Sequence, residues 1–448
     1  MNAPMNVLSV PTPRNSREDA FEQDMALLDE PPALPRRRGP PRHTGTFGVL
    51  DIGTTKIACL VARAEQDGSV RVLGCGFQRA DGVRAGGIVD IEAAERAIRA
   101  AVARAETQAD TRLRSVIVNI SGGQPESRLF NVRWPVGGRA VVEADVKRVL
   151  QEGRIRAAAE GRHIVHALPL NFAADDTMGV DDPRGLHCDT LSARLHVIDV
   201  QQTALRTLQA CLARCDLGVA EIASAPMVAG LATLVEDEKA LGATVIDMGG
   251  GVTSMAVFAE GQVIHTAIIP IGGQHVTNDI ARLLSTPVAH AERLKTLYGS
   301  AQPSQDDERE MLTIRLVGEP EHHIVKAPRQ AVVGIIIPRL EETFEMVRER
   351  LDGLGSVAGN RVVLTGGASQ LQGVAELATQ ILGRQVRLGK PASPRGLPES
   401  AAGPAFATCI GLLAWAAGEG RNHLDLDAES DRPDGILRRI VNFLREKT

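Results

Sequence analysis

The residues best suited to chemistry come as two copies of one short device. Asp51-Ile52-Gly53-Thr54-Thr55 follows the apolar Val49-Leu50, and Asp247-Met248-Gly249-Gly250-Gly251 follows Val245-Ile246. Each copy sets an aspartate at the end of an apolar run, then glycines in a tight turn, then a second apolar run. Glycines let a backbone approach a phosphate closely and turn its N–H groups inward. Gly53, Gly249, Gly250 and Gly251 are therefore candidate phosphate-binding positions, with the hydroxyls of Thr54, Thr55 and Thr253 as donors and Lys56 to offset phosphate charge. Asp51 and Asp247, facing each other across a cleft, would hold Mg²⁺ through water, because that ion dehydrates reluctantly. A single Asp-x-Gly stretch is an ordinary turn; its recurrence in the same setting points to a paired site. A third glycine pair, in Thr365-Gly366-Gly367-Ala368-Ser369, closes the apolar Val362-Val363-Leu364 and opens a helix. That suits close approach to a ribose or adenine through Gly366, Gly367 and Ser369.

The surrounding pattern supplies elements to position these residues. Apolar runs at 47–52, 56–62 and 70–77 predict a β-meander opened by the Gly53-Thr54-Thr55 turn, and 243–258 repeats the strand-turn-strand theme. Ile91, Ala94, Ile98, Ala101, Val102 and Ala105 recur at helical spacing. Strands at 115–120, 129–136 and 164–172 with a helix at 143–157 predict a compact α+β insert. Further helices are expected at 201–214, 276–284, 288–297, 338–351 and 405–417, with a polar loop at 299–308 and a strand-turn-helix at 362–382.

Composition excludes several classes. The chain has 448 residues, 44% hydrophobic, enough for two to four structural units without disulfides. Acidic residues outnumber basic ones 55 to 50 and there is one tyrosine, which argues against a nucleic-acid-binding face. The six cysteines form no CxxC pair and read as buried thiols in a reducing compartment. The longest apolar run is far shorter than the ~20 residues of a membrane-spanning helix, and no secretory signal is visible at the start.

Both ends differ from the middle. Residues 1–44 carry eight of the 24 prolines and read as a disordered tail. Residues 418–435 read as a flexible acidic linker with a reach on the order of 50 Å if extended. In 436–448, the apolar Ile436, Leu437, Ile440, Val441, Phe443 and Leu444 fall within about 160° of a helical wheel, with Arg438, Arg439 and Arg445 on the other side. That is an amphipathic helix with a basic face, suited to lying in a membrane interface. One copy binds marginally; many copies on a filament gain ~10²–10⁴-fold in avidity.

The three glycine motifs, in this order, resemble the two phosphate loops and the adenosine loop of the actin, heat-shock-chaperone and sugar-kinase ATPase superfamily. Within it the chain resembles the FtsA family, the bacterial cell-division actin homologues. The segments that carry this likeness include 48–62, Gly86-Gly87-Ile88-Val89-Asp90, Ile120-Ser121-Gly122-Gly123, His166-Ala167-Leu168-Pro169, 272–281, Ala291-Glu292-Arg293-Leu294-Lys295 and 364–373. The likeness spans residue 46 or so to the C-terminus. It implies an α/β, two-lobed ATPase fold with duplicated ribonuclease-H-like subdomains and an α+β insert in the first lobe. It also implies ATP and Mg²⁺ as cofactors and places Glu292 and Lys295 at the ribose and adenine. The family's second phosphate loop normally follows its glycines with threonine, where this chain has Val252. Either Thr253 substitutes through a shifted turn, or contacts to the γ-phosphate are thinner, so at most weak ATPase activity is expected, with Asp247 as the one catalytic candidate.

On this resemblance the first-lobe large subdomain comprises 45–87 and 166–217, and the insert 88–165. The second lobe comprises a large subdomain of 218–271 and 353–389 and a small one of 272–352, and 390–417 returns to the first lobe. The implied protein polymerises on the cytoplasmic face of the inner membrane at the division septum. It binds the FtsZ C-terminal peptide through its small subdomain, itself in filaments, and downstream divisome proteins through the insert, with no nucleic acid. A pilus-assembly actin-like scaffold and, less so, a small-molecule kinase of the same superfamily are the alternatives.

Overall fold

The computed structural model describes residues 45–65, 68–320 and 324–420. The expected disordered tail, the expected linker beyond residue 420 and the expected amphipathic helix of 436–448 lie outside the described residues.

The expected meander is present as antiparallel β1 (Gly45–Ile52), β2 (Lys56–Ala64) and β3 (Val70–Arg79), followed by a short hairpin of β4 (Val83–Arg84) and β5 (Gly87–Ile88). Asp90 caps helix α1 (Ile91–Ala109), its carboxylate accepting the amides of Glu92 and Ala93. The small residues of α1 lie directly on β3. A Cβ on Gly74 would stand 2.1 Å from the Ala105 carbonyl and one on Gly76 2.0 Å from that of Ala101, so only glycine permits this approach. Strand β6 (Ser115–Ile120) then pairs parallel with β1.

A second sheet follows. β7 (Glu126–Pro135), α2 (Glu143–Ala157), β8 (Arg162–Ala174), β9 (Thr177–Val180) and β10 (Thr190–Gln201) form a four-stranded sheet ordered β7-β10-β8-β9, with α2 on it and a core of its own. This corrects the expected insert of 88–165. α1 and β6 belong to the first-lobe sheet, and β8 through β10 belong to the insert. The shift arises because β10 lies centrally, paired on both sides, and closes the insert from far along the chain.

Helix α3 (Gln202–Arg214) leads back to β11 (Gly218–Ser224), which pairs parallel with β6 in the first sheet rather than opening the second lobe as expected. The chain crosses over at helix α4 (Ala225–Thr233) and short α5 (Glu236–Leu241). The second lobe repeats the first: antiparallel β12 (Ala243–Met248), β13 (Thr253–Ala259) and β14 (Gln262–Ile269), helices α6 (Gly273–Leu283) and α7 (Val288–Tyr298), a ribbon of β15 (Met311–Arg315) and β16 (Ile324–Pro328), and helix α8 (Arg329–Asp352). Strand β17 (Arg361–Thr365), helix α9 (Val374–Leu382) and strand β18 (Gln385–Leu388) complete it, and α10 (Ala407–Ala416) returns. The two five-stranded sheets, β11-β6-β1-β2-β3 and β18-β17-β12-β13-β14, have one topology: a meander plus two parallel strands. The two-lobed duplicated fold is therefore present.

Helix α8 starts at Arg329, nine residues before the expected Pro338, which sits inside it. Proline removes one helical hydrogen bond and crowds the preceding turn. Here the buried face of Val332, Val333, Ile336, Leu340, Phe344 and Val347 holds the helix together across that defect.

Between the lobes α4 and α10 cross in contact, α4 lying on β12 and β13 and α10 on β1, β2 and β6. A Cβ on Gly411 would stand 1.8 Å from the Val228 carbonyl, so the two helices touch backbone to backbone. The insert is tied to both lobes. His166 Nε2 of β8 accepts the amide of Ser224 at 3.0 Å, at the crossover itself. Ser127 Oγ of β7 accepts the Thr266 amide of β14 at 3.0 Å and lies 2.8 Å from His196 Nε2 and 3.3 Å from His265 Nδ1.

Candidate functional site

The site grows from the ends of β1 and β12. Both strands are apolar because each sheet is covered on two faces, and each has an aspartate as its next-to-last residue where it reaches the gap between the lobes. The gap is a cavity of about 270 Å³ lined by Asp51, Gly53, Thr54, Thr55 and Lys56 on one side and Asp247, Gly249, Gly250 and Gly251 on the other. The two glycine turns meet. A Cβ on Gly250 would lie 2.3 Å from Thr55 Cγ2, and one on Gly251 2.3 Å from Thr54 Oγ1. The Thr54 hydroxyl already accepts the Gly86 amide at 3.1 Å. From α6, the amides of Gly273 and Gln274 donate to the carbonyls of Gly249 and Gly250 at 2.9 and 2.8 Å, fixing the second turn from behind.

The third motif also reaches the cavity. Gly366 and Gly367 line it, and Gly366, at φ +89°, sits where a Cβ would fall 2.2 Å from Asp247 Oδ1. That glycine is required both by its backbone conformation and by the carboxylate beside it.

Two expected contacts are corrected. Thr253 is 1% exposed, does not line the cavity, and its hydroxyl has no hydrogen-bond partner. The pleat explains this: Thr253 pairs with Met248, facing the second-lobe core, whereas Ser254 pairs with Asp247 and faces the cavity beside Val252. Ser369 donates to the Gly366 carbonyl at 2.8 Å, is buried, and shapes the third turn without lining the cavity. Glu292 and Lys295 stand together outside the phosphate end. Lys295 Nζ donates to Glu292 Oε2 and Thr277 Oγ1 at 2.8 Å and to the Gly273 carbonyl at 3.1 Å. Burial pushes the Glu292 carboxyl up, but the hydrogen bonds from Lys295 and Thr277 prevail and hold it below its ordinary value.

Sequence patterning missed the groups that support the aspartates. Asn119 of β6 donates to Asp51, and Thr408 of α10 donates to Asp247. Asn119 was marked only by being a polar residue in the apolar run Val116-Ile117-Val118, and Thr408 by opening an apolar helix. Lys56 Nζ donates to the Ala405 carbonyl and lies 3.1 Å from the Phe406 ring centre.

Burial dominates the electrostatics. It pushes the Asp51 carboxyl up to about 7, with Lys56 opposing and Asp247 adding to the rise. It raises Asp247 too, against the Thr408 hydrogen bond and Lys56, and it lowers Lys56, against the pull of Asp51. Two carboxylates whose charged form burial disfavours fit a hard divalent cation, whose charge would offset that penalty at both. Among the described residues no group of three or more acidic, histidine or cysteine side chains forms a metal cage. Two carboxylates suit an ion that keeps its waters and a phosphate.

The family model described as cell division protein FtsA matches residues 244–411, and that of the SHS2 domain inserted in FtsA matches 122–199, in accord with the observed insert. The chain is 40% identical over 396 residues to cell division protein FtsA of Rhizobium meliloti, covering 85% of this chain and 90% of that one. It is 31% identical over 412 residues to cell division protein FtsA of Escherichia coli K12, covering 89% of this chain and 97% of that one. Among solved structures, a PilM-PilN type IV pilus biogenesis complex shares the fold at a TM-score of 0.60 and 17% identity, covering 84% of this chain and 99% of that one. With a duplicated two-lobed fold and relatives matched over most of their length, the chain belongs to the FtsA family of cell division proteins.

Proposed function

We propose that this protein binds ATP with Mg²⁺ in the interlobe cavity, polymerises like actin on the inner face of the cytoplasmic membrane, and anchors FtsZ filaments there at the division septum. The observation that supports this most is the meeting of two glycine turns, each preceded by a buried aspartate, at the gap between duplicated lobes. The bound nucleotide and its cation would supply the charge that holds the lobes together. Gly53, Gly249, Gly250 and Gly251 leave room for phosphates, Lys56 offsets their charge, and Asp51 and Asp247 orient the waters of the cation. Glu292 and Lys295 would face the ribose and base. Among the described residues the cavity's carboxylates are those two aspartates, of which Asp247 would be the catalytic candidate.

Membrane attachment rests on the basic amphipathic pattern of residues 436–448. Among the described residues no helix is long and apolar enough to cross a membrane. The FtsZ C-terminal peptide would bind the small subdomain, residues 272–352, and downstream division proteins the insert. Sedimentation with liposomes, Mg·ATP and FtsZ tests the whole reading. The full chain is expected to carry FtsZ into the pellet, and the chain lacking Ile436 to Thr448 to leave both in solution. Equal pelleting of the two chains would remove the anchor. The pilus-assembly scaffold shares the fold, and a pull-down with FtsZ peptide against pilus-assembly peptides separates the two. A phosphotransfer screen addresses the small-molecule kinase.

A further inference from the structure

The two buried aspartates are supported in different ways. Asp51 is held from within its own lobe, by Asn119 on the neighbouring strand β6. Asp247, at the end of β12 in the second lobe, receives its hydrogen bond from Thr408 Oγ1 at 2.9 Å. Thr408 lies in the first turn of α10, whose body packs on β1, β2 and β6 of the first lobe. Other hydroxyls stand beside Asp247 without taking this role. Thr365 neighbours it in the β12–β17 register, yet its hydroxyl is buried with no partner, and no side-chain bond from Ser254 to the carboxylate is present among the described residues.

The segment just before Thr408 touches both lobes. The Pro404 carbonyl accepts the Gly366 amide at 3.2 Å from the second lobe, and the Ala405 carbonyl accepts Lys56 Nζ from the first. Phe406 packs edge-on against Phe77 of β3, ring centres 5.4 Å apart. The hydroxyl that orients Asp247 is thus delivered by a segment seated between the lobes.

We infer that Thr408 is a positioning residue for Asp247, presenting its carboxylate to the cation of a bound Mg·nucleotide only while the lobes are juxtaposed as here. This rests on the nucleotide reading above. A carboxylate that holds a cation is itself held by outer hydrogen bonds, and losing one such partner typically weakens metal binding 10–100-fold. Because Thr408 sits on a helix that packs on the first lobe while Asp247 ends a strand of the second, cation binding and lobe juxtaposition are linked, each favouring the other by the same factor. The hydroxyl is engaged by the Asp247 carboxylate, so its effect is expected in the cation-dependent share of affinity.

Calorimetric titration of the full chain with ADP, in Mg²⁺ and in EDTA, tests this. For Thr408→Val the affinity for ADP in Mg²⁺ is expected to fall about 10-fold or more, with affinity in EDTA unchanged within about twofold. Thr408→Ser, which keeps the hydroxyl, is expected to restore binding, and Thr408→Ala replaces the valine variant if that crowds the α4–α10 contact. In an Asp247→Asn background, Thr408→Val is expected to add no further loss. Wild-type-like binding by Thr408→Val in Mg²⁺ overturns the inference, as does an equal loss with and without Mg²⁺, which marks a merely structural role. An additive loss in the Asp247→Asn background overturns it as well. If the unaltered chain binds ADP in neither condition, the nucleotide reading itself fails, which is a different outcome from any of these.

Discussion

Asn119 Nδ2 donates to Asp51 Oδ1 at 2.9 Å while Asn119 Oδ1 accepts the Ile52 amide at 2.8 Å, so one buried amide holds both the carboxylate and the backbone that leads into the first glycine turn. Its position on β6, beside β1, is what lets one side chain reach both groups. Asn119→Leu keeps the branched shape and strands the Ile52 amide and the Asp51 oxygen. Unsatisfied buried groups cost about 1–3 kcal/mol each, so a fall of that order in unfolding free energy is expected by urea denaturation, along with weaker binding of Mg·ADP. Asn119→Asp removes the donor and adds a third buried carboxylate, and is expected to bind more weakly still.

Gly366 and Gly250 are required for different reasons. Gly366→Ala places a methyl 2.2 Å from Asp247 Oδ1 at φ +89°, and so displaces the carboxylate. Gly250→Asp sets a carboxylate against Thr55 where phosphates are expected. Both are expected to abolish ADP binding in calorimetry. Wild-type affinity in Gly250→Asp would remove the second glycine turn from the nucleotide site.

Val252 and Thr253 make a paired test of the pleat. Val252 lines the cavity and Thr253 faces the core with an unpartnered hydroxyl. Val252→Thr puts a hydroxyl among the phosphates and is expected to tighten binding of a non-hydrolysable ATP analogue about 10-fold or more, since a hydrogen bond to a charged group contributes about 1.5–3 kcal/mol. Thr253→Val should leave binding unchanged and keep or raise the melting temperature, because it removes an unsatisfied buried polar atom. The reverse pattern would place Thr253, not Val252, at the phosphates.

Ser127 joins the insert to the second lobe, and the histidines around it make that junction sensitive to acid. Burial pushes His196 down to about 4 and lowers His265 beside it. A folded chain that keeps an imidazole neutral loses stability wherever the unfolded chain takes up the proton first. For His196 that loss starts near the ordinary value of 6.5 and is complete near 4, at up to ~1.4 kcal/mol per pH unit. Urea midpoints measured at pH 7 and pH 5 should fall further for the unaltered chain than for His196→Gln, whose amide does not titrate there. Equal falls would place the acid sensitivity elsewhere.

Much of this was legible in the sequence. The two Asp-Gly turns, the Thr-Gly-Gly turn and the strands behind them are local features, set by glycine's freedom and by apolar runs, and they stand where the pattern placed them. Helices 143–157 and 91–109 follow from 3.6-residue spacing, and the Asp90 cap from the side chain that precedes the second. Even the correct face of Val252 and Ser254 was readable, since side chains alternate along a strand and Asp247 sets the phase.

What the tertiary structure decided concerns residues whose partners lie far away in the chain. The insert's limits depend on β10 lying between β7 and β8, and β11 belongs to the first sheet because it pairs with β6. Neither follows from local periodicity, which says that a strand forms but not which strand it joins. The same holds for the site's supports: Asn119 reaches Asp51 and Thr408 reaches Asp247 only because two sheets and a pair of crossing helices bring them together. The sequence by itself determined the loops that can meet a phosphate. The packing of α4 against α10 decided that both loops face one cavity, because a contact between distant segments is settled by the close fit of whole surfaces rather than by the residues on either side of a turn.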